Sequence, residues 1–133
     1  MLEKCLVTVG IVFYAVVVPI LEINDTHVFN QAWAPHARLH ETWQLFTNTA
    51  IGAFSVWLVW GKDDLRLASL LTVFVTGGFL MAYWLRDGYG GSMVLTDGSE
   101  KMIVGINLGL FAYLLAILLA GLAVLIQKRR GTA

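Results

Sequence analysis

"CLVTVGIVFYAVVVPIL", Cys5 to Leu21, runs for seventeen residues without a charge. A stretch of about 20 predominantly apolar residues spans the hydrocarbon of a bilayer. The segment therefore reads as a membrane helix, slightly short, with Pro19 near its end. A removable signal peptide is the alternative reading. No small-residue cleavage pattern follows, and the next residues are "EINDTH", so a retained helix is expected.

Three more runs share this character: about Leu39 to Trp60, Leu65 to Leu85 and Met102 to Ile126. Pro35 sits just upstream of the second run, at a first-turn position. "GKDD" (Gly61 to Asp64) makes a tight turn between the second and third. "TDGSE" introduces the fourth, with Asp97-Gly98 turning the chain and Ser99 as its cap. The whole chain is 58% hydrophobic and 14% charged, with mean hydropathy +0.72. Soluble domains carry about 25% charged residues. The expected fold is all-α: an integral membrane four-helix bundle, one domain over residues 1–133, without internal repeats. The lipid bilayer is its first partner.

Charge sets what else is expected. Nine basic and nine acidic residues cancel, which argues against a nucleic-acid surface. Lys4, Lys62, Arg66, Lys128, Arg129 and Arg130 fall on the side of the termini, and Arg38, Arg86 and Lys101 on the other. That excess places both termini in the cytoplasm of a multi-pass protein. The two long polar connections, 22–38 and 86–100, then lie together on the opposite side. Cys5 is the single cysteine and reads as a small buried hydrophobe.

Polar residues inside a membrane helix are expected to face the bundle or a cavity. At about 100° per residue, His36, His40, Gln44, Thr47, Asn48 and Ser55 share one face of the second helix. Ser69, Thr72, Thr76, Tyr83 and Asp87 share one face of the third. The two stripes are expected to meet, either across a central cavity opening toward the long loops or as interhelical packing. On the fourth helix Gly105, Gly109, Ala112, Ala116, Ala120 and Ala123 form a small-residue stripe that begins "GINLG". It is a packing seam, within the bundle or between subunits. Asn107 points the other way, which favours a homo-oligomer.

"THVFNQAWAPHARLHETW", Thr26 to Trp43, gathers all three histidines. His36 and His40 are four apart and share a helix face. With His27 they make a metal-ligand set; alternatively His36 or His40 is an axial haem ligand, or no cofactor is present. His27 also reads as a loop histidine bonded to backbone. In acid–base terms His40 is the central group, His36 and Glu41 its partners, and Asp25 an orienting carboxylate. Tyr83 and Asn107 are placed to stabilise an oxyanion. Trp33, Trp43, Gln44, Asn48 and Tyr83 are the expected lining for a small lipophilic ligand. There is no GxSxG elbow and no Cys-His pair. Proton-shuffling isomerisation or cyclisation needs only an acid, a base and a dry cavity.

The stretch "NDTHVFNQAWAPHARLHETWQ" resembles a family of small, largely uncharacterised four-helix membrane proteins with a THxFNxxWxPHAxxH-type signature. Here that covers Thr26, His27, Phe29, Asn30, Trp33, Pro35, His36, Ala37 and His40, with Asn107 as the asparagine early in helix four. Gln31 departs from the proline expected there. A looser likeness is to styrene oxide isomerase, a small four-helix membrane enzyme and trimer that uses haem b as a Lewis acid. That likeness implies His36 or His40 as a haem ligand and Tyr83 as a helper. Membrane sterol isomerases offer a further likeness. The expected function is a membrane isomerase or cyclase. The alternative is a non-enzymatic accessory subunit docking through the helix-four stripe, with a small transporter last.

Overall fold

The computed structural model describes residues 1–131 and is mostly helical. Helix α1 covers Leu2–Glu22, α2 starts at Pro35 and runs through Trp57 into a π-helical turn at Leu58–Lys62, α3 is Leu65–Leu85, and α4 is Leu108–Gly131. A two-strand hairpin, β1 Met102–Ile103 and β2 Ile106–Asn107, precedes α4. Three of the helices, α1, α3 and α4, are long and apolar enough to cross a membrane; α2 is not among them.

The π-helical turn in α1 has a local cause. Pro19 has no N–H, so it cannot bond the carbonyl four residues back, at Ala15. The helix widens instead. Phe13–Val17 is π-helical, and the Val18 N–H reaches the Phe13 carbonyl. The Ala15 carbonyl takes its bond from another helix: Thr49 Oγ1 donates to it at 3.1 Å. Gly52 lies one turn on. A Cβ there would sit 2.2 Å from that of Ala15, so only glycine admits this approach of α1 and α2.

The tight turn forms as expected. Asp63 takes φ 58°, and the Asp64 side chain caps α3 by accepting from the Leu67 N–H at 3.0 Å. Arg130 pairs with Glu3, and Lys4 with Asp63 at 2.8 Å. The two ends of the chain thus gather with the 61–64 turn. At the other end Lys101 Nζ donates to the Leu21 carbonyl at 3.0 Å, and Asn30 Nδ2 to Thr96 Oγ1 at 3.5 Å. The two long connections do share a side.

Several expectations are corrected. The fourth helix begins at Leu108, not Met102. The segment "MIVGIN" folds back on itself, pairing Met102 with Asn107 and Ile103 with Ile106. Its two-residue loop has φ 50° at Val104 and 76° at Gly105. Positive φ at both central positions is what a type I′ hairpin requires. Gly105 and Gly109 are therefore not a helical GxxxG pair. Ser99 does not cap the helix; its hydroxyl and N–H both go to Asp97 Oδ1. The cap is Asn107, whose Oδ1 accepts from the Gly109 and Leu110 N–H groups at 2.9 and 3.3 Å. Cys5 is exposed, not buried.

The remaining small-residue stripe lies inside the bundle. Ala116, Ala120 and Ala123 are buried, and a Cβ on Gly10 of α1 would be 3.3 Å from the Ala116 backbone. On the other side of α4, Leu114, Leu118, Leu122 and Leu125 are exposed. Small residues inside and leucines outside reverse the usual soluble pattern, and they let helix backbones approach closely.

Candidate functional site

The two polar stripes do not face each other across a cavity. On α3, Thr72 and Thr76 are fully buried, and their hydroxyls bond the Ala68 and Thr72 carbonyls of their own helix. Ser69 is buried with no hydrogen-bond partner for its hydroxyl. Ser55 and Tyr14 join this layer, 3.5 Å apart. The outcome is polar packing in a filled core. The stripe on α2 straddles the boundary of the bundle. Ser55 lies inside and Asn48 is half-buried, whereas His36, His40, Gln44 and Thr47 are exposed.

That exposed edge forms a groove of about 320 Å³, lined by His40, Trp43, Gln44, Thr47 and Asn48. His40 Nε2 and His36 Nε2 are 3.0 Å apart, so one ring donates to the other. The rings meet edge to face at 4.5 Å, and Trp43 packs on His40 at 5.8 Å. Four of the residues expected to act on or line a ligand, His40, Trp43, Gln44 and Asn48, are thus brought together. His36 stands behind them as a hydrogen-bond partner.

His27 belongs elsewhere. Its Nε2 meets Glu22 Oε2 at 2.5 Å and its Nδ1 meets Thr26 Oγ1 at 2.7 Å, both with side chains. Trp33 packs edge-on against its ring at 5.3 Å. Glu41 is half-buried and within electrostatic reach of Glu22 and His27, near the buried Tyr113. The structure therefore holds a second pair, Glu22 and His27, where the 22–34 connection meets the bundle. Glu22, one of the carboxylates near the histidines in sequence, is the one that meets His27. The signal was its position at the last turn of α1, five residues before His27.

The other candidates are not drawn to the groove. Asp25 is exposed in the loop. Tyr83 stacks under the Arg86 guanidinium at 4.1 Å. Asn107 is committed to its cap, and its Nδ2 donates to Glu100 Oε1 at 3.0 Å. The three histidines do not converge. His36 and His40 supply two imidazoles, and among the described residues no group of three or more His, Cys, Asp or Glu side chains is arranged to hold a metal ion. A metal ion at this pair would complete its coordination with other donors or solvent, whereas a haem would need only one of the two imidazoles.

Comparison with protein-family models, with curated proteins and with solved structures found no match for this chain.

Proposed function

We propose that this chain is a multi-pass integral membrane four-helix bundle, with both termini cytoplasmic, that isomerises or cyclises a small lipophilic molecule by acid–base chemistry. The membrane reading rests on the outward faces. Val9, Val12, Val16 and Ile20 of α1, Phe74 and Met81 of α3, and the four leucines of α4 are all exposed. A surface this apolar is matched by a bilayer.

The observation that carries the catalytic reading is His40. It is an exposed ionisable ring on an open groove of α2, hydrogen-bonded to a second imidazole. In this reading His40 takes a proton from one carbon of the substrate, and the His36–His40 pair returns a proton to another carbon of the same molecule. The Gln44 and Asn48 amides donate to the oxygen that gains charge. Trp43 supplies an apolar wall. The alternative is docking of a partner through the α4 small-residue stripe, of which Ala116, Ala120 and Ala123 are buried within the bundle.

The test uses purified protein in lipid nanodiscs in D2O with a panel of small β,γ-unsaturated ketones and terpenoid aldehydes. Mass spectrometry reads deuterium uptake at carbon, and NMR reads positional isomers. Wild type should catalyse exchange, and His40→Ala should lose it by about 100-fold or more. Exchange undiminished in His40→Ala would remove the assignment, as would none in the wild type across the panel. Visible absorption and metal analysis of the same preparation separate acid–base from Lewis-acid chemistry.

A further inference from the structure

Every residue lining the His40 groove comes from one helix, α2. The groove has a floor and no opposite wall. We infer that a second copy of this chain supplies that wall, the two α2 helices pairing about a two-fold axis along the bilayer normal. The inference deepens the proposed site and rests on its membrane reading.

Three observations carry it. First, His36, His40, Trp43, Thr47, Ala50, Phe54 and Trp57 are all exposed and recur at alternating steps of four and three. This is the heptad rhythm of a helix–helix seam. It runs the length of α2, with the small Ala50 at its middle to let backbones approach. Second, α2 alone among the long helices is not apolar enough to cross a membrane by itself. Lipid cannot satisfy the exposed Gln44 amide and Thr47 hydroxyl, whereas a protein neighbour can. The outward leucines of α4 have no such need. Third, the face is self-complementary. Amides and hydroxyls both donate and accept, so like meets like across a two-fold axis. The formal charges of this part of α2, Arg38 and Glu41, lie off the seam and are half-buried. No like-charge pair opposes the contact.

The pairing places two His36–His40 pairs beside each other and encloses a lipophilic ligand between two Trp43 rings. The site is then complete only in the assembly.

The experiment is disulfide trapping in nanodiscs, with Cys5→Ser as the background. Thr47→Cys and Ala50→Cys test the seam. Phe74→Cys on α3 and Leu118→Cys on α4, at 65% and 69% exposed, are outward-facing controls. After oxidation with copper phenanthroline, Thr47→Cys and Ala50→Cys should give a covalent dimer, at least tenfold above the controls. Equal trapping at the controls, or none at either seam position, would overturn the inference. Oligomer mass of the untreated background protein, read by native mass spectrometry, is the second measurement. A dimer supports the pairing and a monomer opposes it. The arms are separable from the catalytic reading. Trapping at the seam without deuterium exchange leaves the pairing standing, and exchange by a monomer leaves the chemistry standing.

Discussion

Thr49 Oγ1 donates to the carbonyl of Ala15, the one carbonyl in α1 that Pro19 deprives of its usual partner. The bond crosses between two helices that also touch through Gly52. Thr49→Val keeps the shape and removes the donor. It should cost about 1–2 kcal/mol, because the carbonyl is left without its partner. Pro19→Ala restores an N–H four residues beyond Ala15. In that background Thr49→Val should cost less, and a double-mutant cycle should show coupling above about 0.5 kcal/mol. Unfolding in mixed micelles, followed by far-UV circular dichroism, reads both. Additive costs would show that the Thr49 bond does not answer to Pro19.

Val104 is a β-branched residue at φ 50°, at the tip of the hairpin and 88% exposed. Such a residue is strained by roughly 1–3 kcal/mol in left-handed backbone. Val104→Asn, which tolerates that conformation, should stabilise the 102–107 hairpin without touching the bundle. The expected reading is slower amide hydrogen exchange at Ile103 and Ile106, the pair that closes the turn, with the rest of the protein unchanged. Unaltered protection at both amides would count against a strained type I′ turn.

Much of the architecture is legible in the sequence. The 65–85 helix, the 61–64 turn and the common side of the two long connections follow from apolar run length and turn chemistry. The start of α4 was not legible, because "MIVGIN" is as apolar as the helix after it. Its cues were Gly105 between two short β-prone runs and Asn107 as a cap ahead of the apolar run. The polar faces were half legible. Periodicity tells which residues share a face, not which way it turns. On α2 the decisive residue is Gly52, whose missing side chain admits Ala15. It turns His36 and His40 to the outside. On α3 the hydroxyls turn inward, where each threonine bonds its own backbone. Glu22 lies near the histidines in sequence, but only the fold of the loop sets it against His27.

The Asp97 carboxyl is held below its usual value of 3.8 by the Ser99 hydroxyl and then by the Ser99 N–H. A carboxylate depressed in the folded state stabilises its turn at pH values above the unfolded pKa. That contribution fades as pH falls through the lower, folded value. Ser99→Ala removes the larger cause, so the Asp97 titration should move up toward the usual carboxylate range. Carboxyl ¹³C shifts followed between pH 2 and about 6 check this. A midpoint that does not move would place the cause in something other than the hydroxyl.

Asn107 distinguishes a structural from a chemical role for the early part of α4. Its Oδ1 caps the helix, and its Nδ2 holds Glu100. Removing a cap costs about 0.5–2 kcal/mol. Asn107→Ala should therefore lower stability by that amount and loosen the hairpin above it. Asn107→Ser keeps a capping oxygen and should recover most of the loss. If the residue acts only through this cap, proton exchange at substrate carbon should survive Asn107→Ser at wild-type rate, in contrast to His40→Ala. Asn107→Ser that unfolds like wild type yet loses turnover would show that the amide reaches the reacting molecule. The cap would then be only part of its work.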